Sequence, residues 1–233
     1  MALRYDLHIH SCLSPCASND MTPNNIAGMA HLAGVQVLSV CDHNTAENLP
    51  AVKKACAKYG IRLLPAIEAN TAEEIHILCY FPTVETALNM SDLLYENLPD
   101  IPCKEEYFGE QIIMNSEDEE TGRLTKLLLN ATQLTLQETV QETQNRGGIC
   151  IPAHIDRDSY SVVSVLGVMP QSPAFPAVEL ADIQSKQLYL QQKHITTTTE
   201  ILVSSDAHYL ENIAPEEQYI DETSVLWSLI KNL

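Results

Sequence analysis

Residues 6–11, Asp6-Leu7-His8-Ile9-His10-Ser11, follow the short lead Leu3-Arg4-Tyr5 and decide how the rest of the chain is read. Side chains alternate across a strand, so His8 and His10 share one face, with Asp6 on it as well, while Leu7 and Ile9 face the opposite way. One histidine in a strand is ordinarily a packed or solvated residue. Two on the same face, at the end of an apolar run, form a pair of donors aimed at one place.

The same pattern recurs along the chain. Of the eight histidines, His31 lies within a helical pattern and His194 in a polar stretch, and both read as surface residues. The other six, His8, His10, His43, His76, His154 and His208, each fall within or just past an apolar run. Carboxylates accompany them: Asp42 beside His43 in VCDHN, Glu68 in PAIEAN, and Asp206 in SSDAH.

Apolar runs alternate with helical patterns, the order expected of βα units around a parallel sheet. Strands are expected at 3–9, 35–41, 61–67, 74–81, 149–153, 177–181 and 200–207. Helices are expected from Pro23 to Ala33, with Thr22 as N-cap and Gly34 after the end, and over 46–59, 83–97 and 133–146. The segment at about 98–132, with its acidic run 117–120, breaks the pattern and reads as an irregular insertion in a single domain spanning 1–233. In a closed α/β barrel the strand ends converge on one mouth, so residues from different strands would meet there.

Six imidazoles with several carboxylates suit Zn, Mn or Fe(II), and the absence of a thiolate quartet argues against a structural zinc knuckle. Eight donors (His8, His10, His43, Glu68, His76, His154, Asp206 and His208) suffice for two or three divalent ions. Paired cations about 3.5 to 4 Å apart can clamp both the attacking and the leaving oxygen of a phosphoryl displacement.

Charge and cysteine usage bound the setting. Thirteen Lys and Arg against 31 Asp and Glu give a net charge of −18 in a chain with 45% hydrophobic residues. Such a chain is expected to fold compactly and to repel long polyanions and anionic membranes, so no long nucleic acid is expected, and any phosphorylated substrate is expected to be small: a metabolite, a nucleotide or a short oligonucleotide. The seven cysteines follow no paired spacing; Cys41, Cys79 and Cys150 lie in apolar runs and read as buried thiols. Reduced thiols, an N-terminus without an apolar leader and the absence of any run of roughly 20 apolar residues point to a cytoplasmic protein that engages no membrane.

The ordered set DLHIHS (6–11), CDHN (41–44), Glu68, His76, PAHIDR (152–157) and SSDAH (204–208) resembles the motifs of the PHP family, the polymerase and histidinol phosphatase domain. The resemblance runs over residues 6–208. It implies a distorted (β/α)7 barrel and a centre of up to three Mn, Fe or Zn ions that hydrolyses phosphoesters through a metal-bridging hydroxide. It also implies that His8 and His10 share one ion with Glu68 and Asp206, that Glu68 bridges to a second ion held by His76 and His154, and that His43 and His208 serve a third. Asp42 would orient a ligating histidine. The family's further ligand after the HxH pair has no clean counterpart, and the loop offers Cys16 or Asp20. An arginine near position 157 grips phosphate in related enzymes, which gives Arg157 that role here. Two other readings stand beside this one: an amidohydrolase-like C–N hydrolase, and a non-catalytic metal-binding regulatory module with the acidic segment 105–120 as its partner surface.

Overall fold

The computed structural model describes residues 2–233 as a mixed α/β fold. In chain order its principal elements are β1 (Leu3–Ile9), α1 (Pro23–Leu32), β2 (Val37–Val40), α2 (Leu49–Lys58), β3 (Arg62–Leu63), β4 (Ala66–Asn70) and β5 (His76–Tyr80). There follow α3 (Val84–Glu96), α4 (Glu105–Phe108), β6 (Ile112–Met114), β7 (Glu120–Arg123), α5 (Leu136–Asn145) and β8 (Ile149–Pro152). The chain ends with α6 (Val162–Leu166), β9 (Ala177–Glu179), α7 (Lys186–Gln191), β10 (Glu200–Leu202), β11 (Tyr219–Ile220) and α8 (Trp227–Ile230).

Local chemistry accounts for the helix starts. Thr22 accepts from the Asn25 N–H and Pro23 stands in the first turn of α1. Thr83 and Thr135 close capping boxes with Thr86 and Glu138 at the starts of α3 and α5.

The α/β class is as expected, while the ladders do not close into the expected distorted (β/α)7 barrel. They fall into four groups: β11-β1-β2-β3, β10-β9, β4-β5-β8 and the hairpin β6-β7. The first group is parallel apart from β11, whereas β4, β5 and β8 are antiparallel neighbours. For β4 and β5 the reason is connection length. Residues 71–75 between β4 and β5 are too few for a crossover helix, so the chain can only double back as a hairpin. The single strand expected over 61–67 is two short ones, split at Leu64-Pro65, because proline cannot donate to a ladder. The last expected strand, 200–207, keeps ladder pairing only over Glu200–Leu202. The segment 98–132, expected to be irregular, is partly regular, since it holds α4 and the β6-β7 hairpin.

Short links tie these groups together at one end. Isolated parallel bridges join Ile9 to Ala207 and His43 to Glu68. The Ile155 N–H donates to Glu179 C=O (2.9 Å), bringing the end of β8 to β9. The strand ends that carry the histidines are thus gathered although the ladders behind them are interrupted. Apolar side chains of β1, β2, β4, β5 and β8, among them Leu7, Leu38, Ile67, Leu78 and Ile151, are fully buried and hold the strands in place. Cys41, Cys79 and Cys150 are buried as expected, and all seven cysteines are free thiols.

Candidate metal centre

Glu68 is the hub of the gathered strand ends. Its carboxylate lies 3.0 Å from His43 Nδ1, 3.0 Å from His76 Nδ1, 3.2 Å from His154 Nε2, 3.4 Å from His10 Nε2 and 3.5 Å from His8 Nε2. Asp206 is the second hub: its Oδ1 is 3.1 Å from His10 Nε2 and 3.3 Å from His8 Nε2, and its Oδ2 is 2.7 Å from Arg157 Nη1. His208 Nδ1 bonds the Asp206 carbonyl at 2.8 Å, leaving Nε2 free to face the site. All six histidines named from the sequence therefore meet with both carboxylates.

Burial makes this arrangement chemically demanding. His8 and His10 are fully buried, and Glu68 is 1% exposed. Desolvation opposes charge on His8, but Glu179, Asp206 and Glu68 outweigh it and hold the imidazole well above its ordinary range. For His10 and His43 the same opposition between burial and carboxylates ends at about 9. His76 is pushed down by burial, which its contact with Glu68 does not overcome. Burial and the neighbouring His10 bring His208 down to about 4. Glu68 and Asp206 stay ionised against burial because the imidazoles surround them, and both are displaced to the acid side.

The donor set fits divalent cations, and the unpaired atoms show it. His43 Nδ1 and Asp206 Oδ1 make no aligned hydrogen bond although each has close neighbours of the complementary type, and His154 Nδ1 has no partner. The Nε2 atoms of His8 and His10 face one another at 3.2 Å. His8 already directs Nδ1 to Glu179 at 3.0 Å, so a neutral His8 offers Nε2 as a lone pair. Lone pairs converging in a dry space need a proton or a cation between them. Three overlapping donor groups satisfy the spacing for an ion: His8, His10 and Glu68; His43, Glu68 and His76; and His10, His43 and His208. This grouping places His43 with Glu68 and His76, a pairing the sequence motifs alone did not suggest.

Asp42 acts through intermediaries. It accepts from Ser11 Oγ (2.6 Å), the Ser11 N–H (2.8 Å) and Ser14 Oγ (2.7 Å), and Ser14 Oγ lies 3.0 Å from His10 Nδ1. Asp6, although on the histidine face of β1, is occupied elsewhere, accepting the N–H groups of Ser205 and Ala214. Of the two residues after the HxH pair, Cys16 lines the cavity over the centre, while Asp20 is exposed and does not.

Sequence reasoning passed over Glu179. It is buried at the end of β9, holds His8 Nδ1 and accepts the His154 N–H at 3.0 Å. The available signal was an acid within the apolar run AVELA, at a strand end like those of the other donors. Tyr160 was also missed; its ring stacks on His76 with centroids 4.7 Å apart and planes 19° from parallel. His154, Tyr160 and Asp206 all have positive φ (30°, 56° and 48°). Non-glycine residues held there cost about 1–3 kcal/mol each and collect at functional sites.

The cavity over the centre has a volume of about 230 Å³ and is lined by Cys16, Leu129, Arg157, Tyr160 and the donors other than His8 and His10. Half-exposed Arg157 stands at its rim, paired with Asp206 and not with either of its neighbours Asp156 and Asp158. Among the described residues no helix is long and apolar enough to cross a membrane.

No protein-family model matches the sequence. An 81-residue stretch, 34% of this chain, is 35% identical to a 5'-3' exoribonuclease of Haemophilus influenzae, of which it covers 28%. Among solved structures, the lesion-specific endonuclease EndoQ of Pyrococcus furiosus superposes with a TM-score of 0.66 at 19% identity, over 99% of this chain and 55% of that one. A protein from Bifidobacterium adolescentis assigned as a metal-dependent phosphoesterase superposes with a TM-score of 0.65 at 16% identity, over 98% of this chain and 96% of that one. The chain thus spans little more than half of the endonuclease and a smaller part of the exoribonuclease.

These relatives correct the expectation that no long nucleic acid would be handled. An Endonuclease Q has been crystallised with a 27-mer duplex carrying an abasic lesion at its active site, and this chain matches that structure with a TM-score of 0.54 at 19% identity. Net charge is a property of the whole surface, and contacts to nucleic acid are made by local groups, so −18 does not exclude such a partner. The chain shares its fold with that endonuclease and that phosphoesterase, in keeping with the PHP resemblance carried by its ordered histidine and carboxylate motifs.

Proposed function

We propose that the chain is a divalent-metal-dependent hydrolase of phosphoesters. The observation that carries this reading is Glu68, one buried carboxylate in contact with five imidazoles from four separate strands or strand ends, beneath a cavity with an arginine at its rim. His8, His10, His43, Glu68, His76, His154, Asp206 and His208 would hold two or three ions; Mn, Fe and Zn all suit imidazole with carboxylate. Bound cations supply Lewis acidity to the phosphoryl oxygens and activate a water nucleophile near neutral pH.

The remaining roles belong to the chain itself. Glu179 keeps the His8 ring in the tautomer that turns the Nε2 lone pair inward, and Asp42 does the same for His10 through Ser14. Buried β1, β4 and β5 fix the donors and keep water from all but the mouth. Arg157, with part of its guanidinium on Asp206, offers its remaining N–H groups to a phosphate at the rim. The cavity of about 230 Å³ has room for a phosphoryl group and part of what is esterified to it, and the rest of the alcohol portion would extend outward past the mouth. That arrangement accommodates a phosphorylated metabolite, a nucleotide or the end of a nucleic acid strand, and the nucleases among the relatives favour the last two.

The test is a panel of phosphomonoesters, phosphodiesters and amides offered to protein that has been stripped with chelator and reloaded separately with Mn, Fe or Zn. Metal-dependent release of phosphate or of an alcohol supports the reading. Cleavage confined to amides would replace it with C–N hydrolysis, and inertness of fully loaded protein towards every substrate would leave only a binding role.

A further inference from the structure

Tyr160 occupies a position that the metal centre does not require. It follows Arg157 by three residues and lines the same cavity. One face of its ring lies on His76, yet 45% of the residue is exposed, so the rest of the ring opens at the mouth. A large aromatic left half in water is unremarkable on a mobile loop, but this one is fixed. Its carbonyl accepts the His76 N–H at 2.8 Å. The next residue, Ser161, caps α6 and donates its hydroxyl to the Arg157 carbonyl at 2.8 Å. The backbone at Tyr160 holds a φ of 56°, a conformation uncommon for a bulky residue and sustained only by such anchoring.

The geometry determines what this ring can do. With a phosphoryl group against the donors, Arg157 and Tyr160 line the same cavity beside whatever is esterified to it. An aromatic surface beside a phosphate-binding cation accepts a flat ring by offset stacking, whereas an alkyl chain gains far less from it.

We propose that Tyr160 is a stacking platform that selects phosphoesters whose alcohol portion carries a nucleobase. The proposal rests on the phosphoesterase reading above and adds to it the chemistry of the leaving side. Tyr160 contributes specificity, and because it also packs on His76, its role must be separated from simple support of that ring.

Three probes make the separation: adenosine 5′-monophosphate, a short 5′-phosphorylated oligoribonucleotide and glycerol 3-phosphate, each tested with metal-loaded parent, Tyr160→Phe and Tyr160→Leu. Leucine keeps an apolar cover on His76 and removes the stacking face. Loss of one base stack is expected to lower kcat/KM for the nucleotide, the oligonucleotide or both by about 5- to 100-fold in Tyr160→Leu, with phenylalanine close to the parent. Any effect of lost cover on His76 should appear equally on all three probes, so glycerol 3-phosphate turnover should fall far less than turnover of the base-bearing probes in Tyr160→Leu. A fall confined to the oligonucleotide would identify a strand end as the source of the base, and a fall on the mononucleotide as well would identify the nucleoside itself. An equal fall on all three probes, or no fall on any, overturns the platform. If the loaded parent hydrolyses none of the probes, the phosphoesterase reading fails. The platform is then read by calorimetric binding of adenosine 5′-monophosphate against inorganic phosphate, where an equal affinity in parent and Tyr160→Leu overturns it too.

Discussion

Glu179 Oε2 lies 3.0 Å from His8 Nδ1, and this contact decides which nitrogen of His8 faces the centre. With Nδ1 protonated toward Glu179, a neutral His8 presents Nε2 to Glu68, Asp206 and His10. Partners of this kind orient metal-binding imidazoles, and their removal costs about 10- to 100-fold in metal affinity or activity. Glu179→Gln keeps the side-chain volume but weakens the acceptor. Metal affinity, measured by competition with a chromophoric chelator, is expected to fall by about that range. An unchanged affinity would show that the His8 ring is oriented by packing alone.

Protons and cations compete for the same nitrogens. In the metal-free protein His10 and His43 hold their protons up to about 9, so at pH 7 both are cationic. A ligating imidazole must be neutral, and cation uptake at pH 7 is therefore expected to release protons, with the release diminishing as pH rises through about 9. Calorimetry in two buffers of different ionisation enthalpy counts them directly. A binding heat independent of buffer at pH 7 would contradict the assignment.

The same shifts predict how metal-free stability depends on pH. A histidine whose folded pKa is raised contributes stability that is complete below the unfolded value, about 6.5, and disappears as pH climbs through the folded value. For His10 and His43 that window runs from about 6.5 to about 9. The contribution of Glu68, displaced to the acid side, is constant there because it is lost only on acidification. The thermal midpoint of stripped protein should fall across this window, and loading with metal should flatten the fall. A midpoint that rises with pH in stripped protein would show that the buried imidazoles are held neutral and not protonated against the carboxylates.

Arg157 tests the rim. Arg157 is half exposed although its partner Asp206 is buried, and lysine keeps a cation facing that carboxylate, so Arg157→Lys should leave the unfolding midpoint nearly unchanged. Lysine keeps the charge but not the fork that grips phosphate. The expected effect is a rise in KM for phosphoesters of about tenfold, corresponding to roughly 1.4 kcal/mol, with a smaller change in kcat. Loss of kcat with KM intact would instead place Arg157 on Asp206 as a support of the donors.

Much of this centre is legible in the sequence because its donors obey a simple rule. His8 and His10 sit two apart on one strand, and His43, Glu68, His154, Asp206 and His208 each end or follow an apolar run, so period and position identify them. Glu179 obeyed the rule too, but a single acid in AVELA has no partner in sequence; its meaning comes from His8, 171 residues away. The antiparallel β4-β5-β8 group was missed for a different reason. IRLLPAI reads as one apolar run, whereas Pro65 divides it and the five-residue loop after Asn70 forces a hairpin. Tyr160 was silent because stacking and backbone strain leave no periodic trace.

The insertion bears on the mouth through one glycine. Gly109, at a φ of 96°, closes α4 against the loop that carries Cys16, and a Cβ built there would lie 2.0 Å from the Pro15 carbonyl oxygen. No shift of a flexible side chain relieves a clash with backbone, and the φ itself is unfavourable for any L residue. Gly109→Ala must therefore displace either α4 or the Pro15–Cys16 turn. The cost is expected to be about 1–3 kcal/mol in urea unfolding, in the range of strained backbone positions. Because Cys16 lines the cavity and the donors lie on other strands, metal affinity should survive while the KM for substrate rises. If both are untouched, the insertion packs on the mouth without shaping it; if metal affinity is lost as well, the Pro15–Cys16 turn belongs to the metal centre and not only to its rim.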